Sequence, residues 1–403
     1  MKKIERVGDL ERKYVMEVLD GQFGSQSSYK MVTRLEEEFA KKIERKYAIA
    51  MVNGTATLHM ALEAIGVQPG DEVICPPLTM SSSSLCVLHA NAIPVFADVD
   101  RDTFLITAET IEEKITSKTK AIITVSLYGL SPDMEPIMKL AHEKGIKVIE
   151  DNAQCFLAKY KGKIVGTLGD MASFSFQSSK HMTAGEGGMI VTDDEDLALK
   201  LRRYSGLGYG SIGLKKGRIT KDDIQDPNYE RHVVLGWNYR PTDLVGAVAL
   251  AQLERLDELV EMRKIAAKHF LNAVESCSWL TPQKVNVYDE HSYWAFCVVI
   301  DTDKVDWYDF RKKYMELGGD GIYSAWKLSY MEPAFKNMKF LGREKLIQEN
   351  GKYDYNKVSC PNAEYLQPRM LQFKTDYWDE ADAIKQAGIL KETIDYFENI
   401  RRE

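Results

Sequence analysis

Between residues 31 and 43 the apolar positions Met31, Leu35, Phe39 and Ile43 fall four apart, which marks the buried face of a helix. Residues 1–20 carry a docking-helix pattern, and a Gly/Ser/Gln loop over Gly21–Ser28 separates the two. A short apolar strand, Tyr47–Val52, then runs into Asn53-Gly54-Thr55-Ala56-Thr57 and a helical stripe of Leu58, Leu62 and Ile65. Further strands are expected at Glu72–Pro76, Pro94–Val99, Lys120–Ser126 and Lys147–Asp151. Between the last two, Met134, Ile137, Met138 and Ala141 stripe a helix over Asp133–Glu143, stopped by Gly145. Ser173–Phe176 alternates small polar residues with Phe, and Met189–Thr192 reads as a buried strand. Asp194–Tyr204 reads as a helix. Strands alternating with helices at this rhythm predict an α/β fold with a mainly parallel sheet covered on both faces. Functional groups should then gather beyond the carboxyl ends of the strands.

Periodicity fades over Ser205–Gly236, a stretch long enough for a functional loop. It contains a literal G-x-G-x-x-G at Gly208–Gly213. This follows a helix and leads into Leu214-Lys215-Lys216-Gly217, so it lacks the strand-to-helix setting of a dinucleotide fingerprint. Pro241 then opens a long amphipathic stretch, Asp243–Val274, read as one helix bridging to a second domain. Ser292–Ile300 is strand-like, Trp307–Leu317 is helical with Gly318-Gly319 as its stop, and Ala381–Arg401 is a terminal helix. A large domain over 1–250 and a smaller α+β domain over 251–403 are expected.

A length of 403 residues supports two domains rather than one. Net charge is -7 with no basic stripe, which argues against nucleic acid as a partner. Apolar runs such as Ala121–Val125 are too short to cross a bilayer, and Met1-Lys2-Lys3-Ile4-Glu5-Arg6 is no signal segment. The six cysteines form no C-x-x-C pair and the seven histidines are dispersed, so no metal site is expected. Reduced thiols and a cytoplasmic location follow as expectations.

Against this background one lysine stands out. Lys180 lies between the Phe174-Ser175-Phe176 strand and Gly185-Glu186-Gly187-Gly188. A lysine on the rim of a sheet, partly desolvated, is a candidate Schiff-base nucleophile; the commoner alternative is a surface loop lysine. The Asn53–Thr57 turn is either an anion site at a helix N-terminus or a plain cap by Thr55 or Thr57. Asp151 ends an apolar strand, where it either caps the next helix or pairs with a ligand cation. In Ile322-Tyr323-Ser324-Ala325-Trp326, core packing is the commoner use of such residues and a substrate wall the other.

In their order and spacing these stretches resemble the DegT/StrS family of pyridoxal-phosphate (PLP) sugar aminotransferases. The matching segments are Gly54-Thr55-Ala56, Gly70-Asp71-Glu72-Val73, Pro94-Val95-Phe96-Ala97-Asp98, Glu150-Asp151-Asn152-Ala153-Gln154, the Lys180 region and Gly236-Trp237-Asn238-Tyr239-Arg240. The resemblance implies the aspartate-aminotransferase (type I) fold, with a seven-stranded-type sheet in the large domain. It implies pyridoxal 5'-phosphate as cofactor, joined to Lys180, which then moves the reaction's proton. Asp151 would face the pyridine nitrogen and Gln154 the ring hydroxyl. Gly54, Thr55, Ala56 and Ser175 would cradle the phosphate. Asn238 would reach the phosphate of a neighbouring subunit, which implies a homodimer with shared sites. Many family members stack an aromatic ring on the cofactor where this chain has Met80. A dehydratase branch has His in place of the lysine, whereas here His181 is the next residue. The implied reaction moves an amino group, from L-glutamate, to a nucleotide-linked keto-sugar for glycan or antibiotic sugars. An unlinked sugar such as 8-oxo-3-deoxy-octulosonate, a PLP-dependent sugar dehydratase and a PLP-fold regulator are the alternatives.

Overall fold

The computed structural model describes residues 1–23, 30–214, 221–351 and 353–400. Most of the expected Gly21–Ser28 loop lies outside these residues, as do Lys215-Lys216-Gly217 and Arg401. The central sheet has seven strands: β1 (Tyr47–Met51), β2 (Glu72–Cys75), β3 (Ile93–Phe96), β4 (Thr119–Val125), β5 (Lys147–Asp151), β6 (Met171–Ser175) and β7 (Gly188–Thr192). Their order across the sheet is β1-β7-β6-β5-β4-β2-β3. Neighbours from β6 to β3 pair in parallel, and β7 runs antiparallel to both β1 and β6. The carboxyl ends of β1, β2, β5 and β6 therefore share one edge with the start of β7. Strands β2, β3, β6 and β7 are buried along their whole length, as expected for central strands covered on both faces.

A second, antiparallel sheet has the order β8-β9-β11-β10, formed by β8 (Leu280–Pro282), β9 (Ala295–Ile300), β10 (Tyr323–Ser324) and β11 (Met370–Lys374). Phe270, Phe296 and Phe373 pack together beneath it, with ring centres 5.4–6.2 Å apart. Residues 328–351 and 353–366 return to the first sheet, where Phe96 of β3 meets Tyr330, Phe335 and Tyr355.

Several boundaries differ from the sequence reading. The bridging stretch Asp243–Val274 is two helices, α1 (Asp243–Glu254) and α2 (Leu256–Val274). Arg255 breaks them at φ -101°, ψ 5°, where its guanidinium reaches the Glu5 and Arg6 carbonyls and the Glu11 carboxylate. The 250/251 boundary falls inside α1. The N-terminal helix begins at Asp9, and the residues before it lead back through a bend at Arg6-Val7 to a bridge between Lys3 and Asp379. The strand expected from Ser292 starts at Ala295, because Tyr293 takes φ 51° and turns the chain. Gly208 packs against Val234, and its motif does not line the cavity described below. Among the described residues no helix is long and apolar enough to cross a membrane.

Candidate active site

A cavity of about 830 Å³ opens beyond the shared strand edge. Its walls include Asn53, Gly54, Thr55, Met80, Asp151, Gln154, Ser175, Lys180, Trp294, Tyr323 and Trp326. The edge groups thus come from four strand ends far apart in sequence, as expected for functional groups of a mainly parallel sheet.

One end of the cavity is built for an anion. The helix Gly54–Ile65 starts there, capped by Asn53, whose side chain accepts the Ala56 N–H at 2.8 Å. Neither Thr55 nor Thr57 is the cap. Gly54 and Thr55 face the cavity at the positive end of the helix dipole. The Thr55 hydroxyl lies 2.8 Å from that of Ser82. The turn is pressed tightly against the sheet: a Cβ on Gly54 would stand 3.0 Å from Ser175 Cβ, and one on Gly188 only 2.6 Å from the Asn53 carbonyl carbon. Gly188→Ala is therefore expected to push the Asn53–Gly54 turn out of place. Overpacking of this kind costs about 1–3 kcal/mol. A lowered denaturation midpoint together with weaker cofactor affinity checks this, and an unchanged midpoint contradicts it.

Asp151 closes β5 and is 5% exposed. It caps no helix, since a turn follows it. Its carboxylate accepts the Ser83 hydroxyl at 2.7 Å and the Ala153 N–H at 3.1 Å. Burial pushes its pKa up, while Ser83, Ala153 and the Lys180 charge pull it down. A cation placed beside it in the cavity would favour its charged form. Gln154 is oriented by the Tyr128 N–H, which donates to its side-chain oxygen at 2.9 Å.

Lys180 follows β6 and is 8% exposed. Burial lowers its pKa to about 8, with Asp151 and Glu186 raising it and Arg263 lowering it. Its ammonium lies 4.7 Å from the Trp294 ring centre. An amine so poised loses its proton far more readily than an ordinary lysine, as suits a nucleophile and proton carrier. His181 points elsewhere: it is fully buried, its Nε2 donates to the Ser292 carbonyl, and it packs on Phe156. It is no substitute for a cavity base.

The remaining predicted residues are placed as follows. Met80 lines the cavity, with the Ser81 and Ser82 hydroxyls 3.6 Å from its sulfur. Ala56 is buried behind the turn, outside the lining. Asn238 is exposed, bridges to Gly206, and does not line its own chain's cavity; nor does Arg240. The Tyr323–Trp326 stretch divides by side: Ala325 and Ile322 are core, but Tyr323, Ser324 and Trp326 form a cavity wall, against the core reading favoured for the whole segment. Trp326 stacks at 5.9 Å on Trp294. The sequence reading missed Ser83, Trp294 and Arg263; the hydroxyl run Ser81–Ser84 was a signal for the first, whereas nothing local marked the others. Among the described residues no group of three or more His, Cys, Asp or Glu is placed to hold a metal.

An anion cradle, a buried carboxylate and a low-pKa amine around one cavity fit a phosphorylated pyridine aldehyde. They suit the site of a PLP-dependent aminotransferase on a type I fold. Comparison with known proteins agrees. Residues 5–369 match the model of the DegT/DnrJ/EryC1/StrS aminotransferase family. The chain belongs to that family. It is 40% identical to GDP-perosamine synthase of Caulobacter vibrioides over 295 residues, covering 73% of this chain and 75% of that one. An aminotransferase structure from Psychrobacter cryohalolentis superposes with TM-score 0.85 at 31% identity, over 98% of both chains. An E. coli GDP-4-keto-6-deoxy-D-mannose-3-dehydratase with bound hydrated PLP superposes with TM-score 0.79 at 27% identity, over 97% of this chain and 98% of that one.

Proposed function

We propose that this enzyme moves an amino group from L-glutamate to a nucleotide-linked keto-sugar on a route to a glycan. The reading rests on Lys180 and Asp151 sharing one cavity in a chain related to GDP-perosamine synthase. The cavity extends past Lys180 to Tyr323, Ser324 and Trp326, which gives a sugar room and an aromatic face. When bound, PLP supplies an electron sink for carbanion chemistry. The chain's own residues do the rest. Lys180 would hold the cofactor through Nζ and would carry the reaction's proton on that atom. Asp151 would keep the ring nitrogen protonated. Gly54, Thr55 and Ser175 would seat the phosphate, with Ala56 behind them. Gln154 would meet the ring hydroxyl and Met80 would cover the ring. The large domain, through α1, would hold the cofactor, and the chain from α2 onward would supply the substrate side.

A half-reaction screen tests this reading. The enzyme is loaded with the aminated cofactor and offered keto-sugars, and return of the visible PLP spectrum is recorded. Nucleotide-linked keto-sugars should react. Response to unlinked sugars alone, or to none, would sink the assignment. Cofactor uptake by stripped enzyme should accelerate with pH to a plateau, with a midpoint near the Lys180 value of about 8. The neutral amine is the reactive form, so a midpoint near the ordinary value of 10.5 contradicts the poised lysine.

We also place the enzyme in the cytoplasm as a homodimer. Six free, buried thiols suit a reducing compartment. Asn238, exposed on its own chain, is assigned to the partner subunit's phosphate site. Mixing Asn238→Ala with Lys180→Ala chains should then restore part of the activity, up to about a quarter of wild type if subunits pair at random and one intact site survives per mixed dimer. No rescue counts against shared sites.

A further inference from the structure

The turn that carries Lys180 is gripped by two arginines from distant parts of the chain. Arg263, on α2, is 1% exposed. Its guanidinium donates to the Ser179 carbonyl at 2.8 Å and the Lys180 carbonyl at 3.2 Å. The other nitrogen donates to the Trp294 carbonyl at 2.8 Å and Thr375 Oγ1 at 3.1 Å. Arg6, on the N-terminal arm, donates to the Ser178 carbonyl and, at 3.3 Å, to that of Lys180. Both guanidinium groups lie beside the Trp378 ring, 5.4 Å and 5.8 Å from its centre. The arm is itself anchored. Ile4 N–H donates to the Trp378 carbonyl at 2.8 Å, and Gln252 donates to the Arg6 carbonyl at 2.7 Å. The same Gln252 side chain accepts the Thr183 N–H at 3.2 Å, on the far side of the lysine.

We propose that Arg6 and Arg263, with Trp378 between the arm and α2, are positioning residues that clasp the Ser178–Lys180 backbone and fix where the lysine amine points. This rests on the reading of Lys180 as the cofactor lysine. Three successive carbonyls of a turn offer no side-chain packing to fix them, and charged forks make strong directional bonds to carbonyl oxygens. Tethering Trp294 from the same guanidinium fixes the ring against which the ammonium rests. Arg263 also adds a buried positive charge near the amine, whose effect on Lys180 is downward.

The test is run on the holoenzyme, reading the pH midpoint of its visible absorbance, kcat and KM for L-glutamate. Removing the Arg263 charge in Arg263→Met should raise the absorbance midpoint by roughly one pH unit. Loss of the fork should lower kcat roughly 100-fold, with KM within about twofold of wild type. Arg263→Lys should restore the midpoint, since it keeps the charge, but not kcat, since it lacks the fork. Arg6→Met should lower kcat by roughly tenfold with a smaller midpoint shift. A folded Arg263→Met enzyme with wild-type midpoint and kcat overturns the clasp, as does a loss confined to KM, which would make Arg263 a donor-binding group. If Arg263→Met does not fold, wild-type behaviour of Arg6→Met overturns it. The midpoint is read without acceptor, so failure of the keto-sugar assignment would leave the shift in place. A wild-type enzyme with no visible band would overturn both.

Discussion

Lys180→Ala should lose transamination almost completely while keeping its fold. The side chain lines an open cavity and carries a desolvated amine, so its removal leaves little unfilled core and relieves a buried charge. Stability should stay within about 0.5 kcal/mol of wild type or rise slightly. Turnover should fall roughly 10⁴-fold, because the proton carrier between donor carbon and cofactor is gone. Single-turnover kinetics beside a thermal melt give both numbers. Near-normal turnover by this variant would remove Lys180 from its role.

Asp151→Asn should be the next most damaging change. The amide keeps the shape: its one oxygen can accept the Ala153 N–H and its NH2 can donate to the Ser83 oxygen, but it no longer favours a protonated ring nitrogen. Loss of one preorganised charge in a water-poor site costs roughly 10²–10³-fold in kcat. The Asp151 charge also raises the Lys180 pKa, so the variant's amine should titrate lower than that of the wild type. Wild-type kcat together with an unmoved titration would show that the carboxylate does not act on the cofactor.

The cofactor end of the site was readable in the sequence because each of its parts is local. Asn53–Thr57 is a strand end turning into a helix within five residues, Asp151 ends a strand and Lys180 follows one, each strand with a plain burial pattern. The sheet was readable for the same reason. The substrate side was not. Trp294 reaches the cavity through a turn at Tyr293, and Tyr323 and Trp326 through a two-residue strand; neither leaves a periodic trace. Ser83 meets Asp151 from 68 residues away, a pairing made by the sheet order alone. The break at Arg255 was hidden because apolar periodicity continues through it, and what ends α1 is the pull of the N-terminal arm on that side chain. Asn238 is read from the family resemblance, since its own chain gives it no place in the cavity.

The account stands or falls on which amine holds the coenzyme. Borohydride reduction of the purified enzyme, followed by digestion and mass spectrometry, locates that bond directly. The reduced pyridoxyl phosphate should be found on the peptide containing Lys180. Finding it on another lysine, such as the cavity-lining Lys374, or finding none, would contradict the account.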